Sequence, residues 1–378
     1  MSSKSAEKLT APPSEGPLFV VGVPRSGTSL LHVLLNQHPQ IALMFEADLP
    51  LLWPLFLRRR SKLKWLERWN FWNMSVERHQ IDINKIPEDN SDVRTATEAA
   101  YREYAQHKSA SIWGDKTPDQ YDSLVHMTDY FPNARFIIIW RDPADVCRSL
   151  IRARKGSIRF QQRGMTLRAL LGCHQLAVQR NRLLQRGIQV HDLQYEDLVR
   201  NTADVMQKIC SFLGIPFHPS MATLRNADRS AVHAAEHNAL VNGERIVASR
   251  KYAEVLPVKL KRKIERYKHA WRQSGLDWAM FPPSEEESNP GTPSALERSV
   301  DQIRYRFLRI WDLVTVFAYC VAPLRLLTVY REWRGHPYLN SRWQEYVRRC
   351  SGPSEFTEEI ASVSSTPPGV EMAADLHK

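Results

Sequence analysis

The chain has 378 residues, 43% of them apolar and 25% charged, a balance that excludes a disordered or fibrous polypeptide and provides for a sizeable core. Its 52 Lys and Arg against 41 Asp and Glu leave a net charge of +11, suited to an anionic ligand or surface. Five cysteines without CxxC or metal-ligand spacing speak against a disulfide framework, and the absence of zinc-finger, RNA-recognition and basic-zipper patterns makes nucleic acid the weaker reading of the charge.

Residues 1–16 are polar and carry no apolar run, so they are read as a disordered N-terminus without secretory signal or anchor, which favours the cytoplasm. Leu18 to Val23 is a predicted buried strand, followed by a glycine-flanked turn and a helix from Ser29 to Gln37 that His38-Pro39 ends. A short strand, Ile41 to Met44, delivers Glu46. From Leu49 to Trp72, Trp, Leu and Phe alternate with Arg and Lys; this reads equally as an acceptor lid or as an amphipathic pair packed on the core. A helix over Ser91 to Lys108 precedes a strand, Ile112 to Gly114, that presents Asp115 and Lys116. Phe136 to Trp140 is the central strand, with Asp142 and Pro143 as the cap and first residue of the next helix. Ile188 to Leu193 is a further strand. Strands alternating with helices predict an α/β fold, P-loop-like and doubly wound, with a mainly parallel sheet flanked by helices.

The domain spans 17–280 in this reading, and a Pro-, Ser- and Glu-rich linker follows over 281–298. A helical C-terminal extension covers 299–348, and a polar tail covers 349–378. Within the extension, the uncharged run Leu313 to Leu324 is too short to span a bilayer, and Arg309, Asp312 and Arg325 interrupt the wider apolar stretch 302–333. Two readings stay open: an interfacial helix with Trp311, Tyr319 and Trp333 at headgroup level, or helices packed back on the domain or on a second subunit, as in a homodimer.

The chemistry concentrates at Gly22-Val23-Pro24-Arg25-Ser26-Gly27-Thr28-Ser29. A strand, a glycine-flanked turn and a helix start form a phosphate cradle, because the first turn of the helix has unpaired N–H groups and the positive end of the dipole. The two glycines match the P-loop spacing, yet Thr28 stands where nucleotide hydrolysis needs lysine. That substitution argues against ATP or GTP hydrolysis, with Arg25 a candidate for the missing charge. Arg141 follows the central strand at the edge where open α/β sheets bind ligands, and an arginine there suits a phosphate better than a metal.

These residues resemble the sulfotransferases that use 3′-phosphoadenosine 5′-phosphosulfate (PAPS). Four stretches carry the resemblance: Pro24 to Ser29, Asp115-Lys116-Thr117-Pro118, Arg135 to Ser149, and Tyr195-Glu196-Asp197-Leu198, in the family's order. The match is closest to tyrosylprotein sulfotransferases and their bacterial relatives, and it spans roughly 16–280. It implies that Arg25, Ser26, Gly27, Thr28 and Ser29 hold the 5′-phosphosulfate, that Arg141 and Ser149 hold the 3′-phosphate, and that Tyr195 approaches the nucleotide. Lys251, in Ser249-Arg250-Lys251-Tyr252, is similar to a late cofactor-closing segment, although the glycines of many relatives are missing there. The family's additional arginine falls on Ala153 here, so Arg152 and Arg154 share that role undecided. Glu46, nineteen residues after Gly27, stands where the family carries its general base, with Asp48 as rival and helix capping as the ordinary alternative for either. Lys116 matches the family's transition-state lysine. The implied activity moves a sulfuryl group from PAPS to a hydroxyl of a glycan, lipid or tyrosine, with no metal required. A nucleotide kinase and an inactive, membrane-associated anion-binding scaffold are the competing readings.

Overall fold

The computed structural model describes residues 16–49, 62–88, 93–154, 164–232, 246, 256–274, 290–333 and 340–351. Five strands, β1 (Leu18–Val21), β2 (Ile41–Phe45), β3 (Ile112–Lys116), β4 (Arg135–Trp140) and β5 (Val190–Gln194), form one sheet in the order β2-β3-β1-β4-β5. All four pairings are parallel. Parallel strands need covered faces, and the alternation of side chains supplies them. Phe19, Val21, Phe136 and Ile138 point into one apolar layer, while Leu18, Val20, Ile137 and Ile139 point into the other.

The second layer is closed by α1 (Thr28–Leu35) and, after the short α8 (Tyr195–Arg200), by α9 (Thr202–Leu213). The first layer is larger. It receives α2 (Lys62–Asn73), α4 (Val93–His107), α5 (Leu124–Tyr130), α6 (Pro143–Ala153), α7 (Met165–Gln185) and α10 (Val258–Gln273), with the single turn α3 (Ser75–Arg78) beside α2. The chain leaves β1 toward β2 on one side and leaves β4 toward β5 on the other. The carboxyl ends of β1 and β4 therefore flank the point where the winding reverses, which opens a crevice there.

Strand β3 runs further than expected. Asp115 and Lys116 are not presented beyond the strand but lie inside it, opposite Phe19 and Val20 of β1. Gly114 makes this pairing tight: a Cβ there would come within 1.9 Å of the Leu18 carbonyl oxygen. The helix after the predicted linker 281–298 starts inside those bounds. The Ser294 hydroxyl accepts the Glu297 N–H at 3.1 Å, a Ser-x-x-Glu start, so α11 begins at Ala295 and runs to Val321. Helices α12 (Leu324–Trp333) and α13 (Asn340–Ser351) follow.

The extension packs back on the domain. Arg309 pairs with Asp122 at 2.6 Å and Arg168 with Asp312 at 2.8 Å, while Tyr346 donates to the Ile81 carbonyl at 2.8 Å. Tyr319, expected at a membrane surface, faces the domain instead: its ring meets Trp72 edge-on at 5.1 Å and its carbonyl accepts from Arg68. Among the described residues no helix is long and apolar enough to cross a membrane. The N-terminus 1–15, the tail 352–378 and the segment holding Lys251 lie outside the described residues.

Two histidines lock β2 to its surroundings. His79 Nε2 accepts the Phe45 N–H at 2.9 Å and its Nδ1 donates to the Ser75 carbonyl at 2.9 Å; His32 Nε2 donates to the Leu43 carbonyl at 2.9 Å. Burial, aided by the Lys116 charge for His32 and the Arg78 charge for His79, lowers each pKa from 6.5 to about 3. Because the folded pKa is depressed, the neutral ring's stabilisation is complete above pH 6.5 and is lost as the pH falls toward about 3. Each ring then costs about 1.4 kcal/mol per pH unit. Both imidazoles are expected to keep neutral NMR shifts from pH 7 down to about pH 5, where a free histidine is charged. Titration near the ordinary value would contradict their placement.

Candidate active site

At the end of β1 the chain turns through Arg25, at φ 77°, and Gly27, at φ 105°, before entering α1. Gly27 is required twice over. Its φ lies in the left-handed region, and a Cβ would sit 2.4 Å from the Tyr195 ring. Helix α1 has neither a side-chain cap nor an acid in its first turn, and Ser26, Thr28 and Ser29 are buried beside it. A helix start of this kind, with the positive end of its dipole, suits an anion.

The first side-chain cluster lies between β1 and β4. Arg25 Nε donates to Ser149 Oγ at 3.2 Å, and Arg141 Nη1 donates to the Arg25 carbonyl at 2.9 Å. The Arg141 guanidinium lies over the Tyr195 ring, 4.2 Å from its centre. Asp142 caps α6 by accepting the Ala144 N–H at 2.7 Å, and it also binds Lys268 of α10 at 2.8 Å. This capping fixes where β4 ends, and so where Arg141 stands. Ser149 is one turn before Arg152 and Arg154; the former is exposed and the latter half-buried. The pocket is cationic, with hydroxyl donors and an aromatic plane, and it fits a phosphorylated nucleoside.

The second cluster lies between β2, β3 and α1. Lys116 Nζ is fully buried, donates to Glu46 Oε1 at 2.6 Å and to Ser29 Oγ at 3.3 Å, and sits 3.4 Å from the centre of the Phe45 ring. Thus a cation from β3 reaches the first turn of α1, although the loop itself has no lysine. Arg25, the sequence candidate for that charge, is directed to Ser149. Glu46 adopts φ 52° and Asp48 φ 56°, conformations that non-glycine residues take only when held. The Glu46 N–H donates to the Lys116 carbonyl at 2.9 Å, and the Ala47 and Asp48 N–H groups donate to the two Asp115 oxygens at 3.2 and 3.1 Å. From α2, the Trp69 indole donates to the Ala47 carbonyl at 2.9 Å.

Asp115 was named in the sequence as part of a motif but given no role, and Arg78 was missed. Asp115 holds the turn that aims Glu46; burial and then the Asp48 charge push its pKa well up, against the two N–H bonds. Arg78 approaches the Phe45 carbonyl and feels the charges of both Glu46 and Asp48, which oppose the lowering of its pKa by burial. An acid directly before Lys116 was a usable signal for Asp115. Nothing in the short helix around Arg78 marks it. Asp48, the rival to Glu46, accepts from the Trp72 indole at 3.4 Å and from the Thr117 hydroxyl at 3.5 Å. Of the two readings of Leu49 to Trp72, the described part follows the amphipathic one packed on the core: Trp65 and Trp69 of α2 are fully buried.

The family described as "Sulfotransferase family" matches residues 17–219. The chain is 26% identical over 210 residues to protein-tyrosine sulfotransferase A of Caenorhabditis elegans, covering 53% of this chain and 50% of that protein. It is 26% identical over 212 residues to protein-tyrosine sulfotransferase 1 of Danio rerio, with 54% of each covered. It therefore spans about half the length of the curated relatives it matches. Among solved structures, the sulfotransferase domain from the curacin biosynthetic pathway is similar in fold, with TM-score 0.51 and 21% identity over 71% of this chain and 99% of that one.

Proposed function

This chain belongs to the sulfotransferase family, and from that premise we propose that it transfers a sulfuryl group from PAPS to a hydroxyl-bearing acceptor. One observation carries the reading: the Glu46–Lys116–Ser29 cluster adjoins an uncapped helix start on one side of the crevice, while Arg25, Arg141, Ser149 and Tyr195 gather on the other. Bound PAPS supplies the activated sulfuryl group and a leaving 5′-phosphate. The loop from Arg25 to Ser29 and the α1 N–H groups would hold the 5′ end, and Arg141 and Ser149 the 3′-phosphate. Glu46 would take the acceptor proton as the new S–O bond forms. Lys116 lies between Glu46 and Ser29, so it can neutralise charge that grows near the start of α1 as the old S–O bond breaks. The acceptor is a glycan, lipid or tyrosyl hydroxyl. The names of the curated relatives favour testing tyrosyl peptides first.

Calorimetry with adenosine 3′,5′-bisphosphate, 5′-AMP and ATP tests this. The bisphosphate is expected to bind at least about thirtyfold more tightly than 5′-AMP, and Arg141→Ala to remove about 2 kcal/mol, or some thirtyfold, of that preference. Equal binding of ATP, or a preference untouched by Arg141→Ala, contradicts the cofactor assignment.

A further inference from the structure

Helix α11 buries one side on its own domain and leaves a long apolar stripe on the other. The side turned inward joins core residues, Tyr305 and Val316, to buried charges. Buried Asp301 accepts from Lys263 at 2.6 Å and from the Tyr267 hydroxyl at 2.9 Å; Arg309 and Asp312 make the ion pairs with Asp122 and Arg168 described above. The side turned outward is apolar. Leu296, Ile303, Ile310 and Phe317 recur every seven residues, each followed four residues later by a Val or Phe, and all eight are 42–75% exposed. Trp311 and Leu313, 63% and 53% exposed, widen this stripe, and Leu326 and Val329 of α12 add to it at 65% and 64%. A soluble monomer seldom leaves so long an apolar surface uncovered.

The flanks identify what covers it. At about 100° per residue, the exposed Arg304 and Arg306 fall on opposite edges of the stripe. A groove of about 670 Å³ opens beside Ile303 and Phe307, walled by Leu167, Leu170 and Leu260; Lys259 and Arg304 line it, with Lys263 already paired to Asp301 in the same wall. We propose that this face docks on a bilayer containing anionic lipid, its apolar stripe at the acyl boundary and its arginines against the phosphates. Packing against a second copy suits the observations less well. The eight residues have the 4-3 spacing of a two-helix seam, but exposed Trp311 and Leu313, with Leu326 and Val329 of α12, lie outside such a seam and carry the apolar surface beyond what one partner helix covers.

The proposal is independent of sulfuryl transfer, and the test keeps the two apart. The full chain is sedimented with vesicles of phosphatidylcholine, with or without phosphatidylserine. Phe307→Ser with Phe317→Ser, and Arg304→Gln with Arg306→Gln, are compared with the parent, cooperative thermal unfolding followed by circular dichroism serving as the check on folding. The parent is expected to bind the phosphatidylserine vesicles and to leave them as salt rises. The serine variant should lose at least about tenfold in partitioning. The glutamine variant should lose about fivefold per arginine, and it decides the matter alone should the serine variant misfold. A parent that ignores phosphatidylserine vesicles, or folded variants that bind them undiminished, overturns the proposal. So does a parent dimer that ignores vesicles and is split by the serine substitutions, which assigns the face to a second copy.

Discussion

Replacing Glu46 by Gln is expected to lower turnover by about 10²- to 10⁴-fold, the range associated with loss of a positioned general base. The amide oxygen can still accept from Lys116, whose Nζ lies 2.6 Å from Glu46 Oε1, so the local geometry should survive. Bisphosphate affinity should therefore stay close to that of the parent, because the nucleotide groups Arg25, Arg141 and Ser149 belong to the other cluster. Release of adenosine 3′,5′-bisphosphate from PAPS, followed across a set of hydroxyl acceptors, measures the first effect, and calorimetry the second. Unchanged release in a variant that binds the bisphosphate would remove Glu46 from the role of base and move Asp48 into question.

Lys116→Met should be as severe, for a different reason. The methionine is of similar length and keeps the packing on Phe45, but it removes a fully buried cation that contacts both Glu46 and Ser29. Loss of one preorganised charge beside a developing anion costs about 10²- to 10³-fold in rate. Stability should fall as well, since removing one partner of a buried pair strands the other, at up to about 3–5 kcal/mol. Glu46 keeps some contact with water, with 15% of its side chain exposed, so the lower end is expected. The double variant Lys116→Met with Glu46→Gln separates the terms. If the two residues act as a unit, its rate will be close to that of the worse single variant, and its stability will exceed that of Lys116→Met. Additive losses in rate would show that the ion pair has no part in the chemistry.

Much of this site could be read before the chain was folded, and the reason is local. The strand, the two glycines at P-loop spacing and the helix start lie within one short stretch, so the turn they make is announced by neighbouring residues, although Tyr195 also crowds Gly27. Arg141 was legible for the same reason, since Asp142 and Pro143 announce where β4 ends and α6 begins, whereas Ser149 came only from the resemblance. The order of strands and helices likewise implied a parallel sheet, because alternating β and α segments can only be joined by crossovers.

Glu46 and Lys116 were found through resemblance and a predicted strand edge, but their relation was not visible. They are 70 residues apart, and they meet because β2 and β3 are neighbours in register, Phe45 opposite Lys116. Asp115 was passed over because an apolar run ends at Gly114, whereas parallel pairing with β1 continues through two polar residues.

What the sequence determined by itself is therefore the set of short-range devices: the cradle, the helix caps, the alternation of strands and helices that calls for a parallel sheet, and the helical C-terminal extension. Tertiary structure alone decided which charges meet. It placed a β3 lysine at the start of α1 in a loop that has no lysine of its own, and it turned Arg25 toward Ser149. It also rolled α11 so that Asp301, Arg309 and Asp312 face the domain while the apolar stripe faces outward. Periodicity shows that a helix has two faces. Which face turns inward depends on partners distant in the chain, here Lys263, Asp122 and Arg168, whose ion pairs no local pattern records.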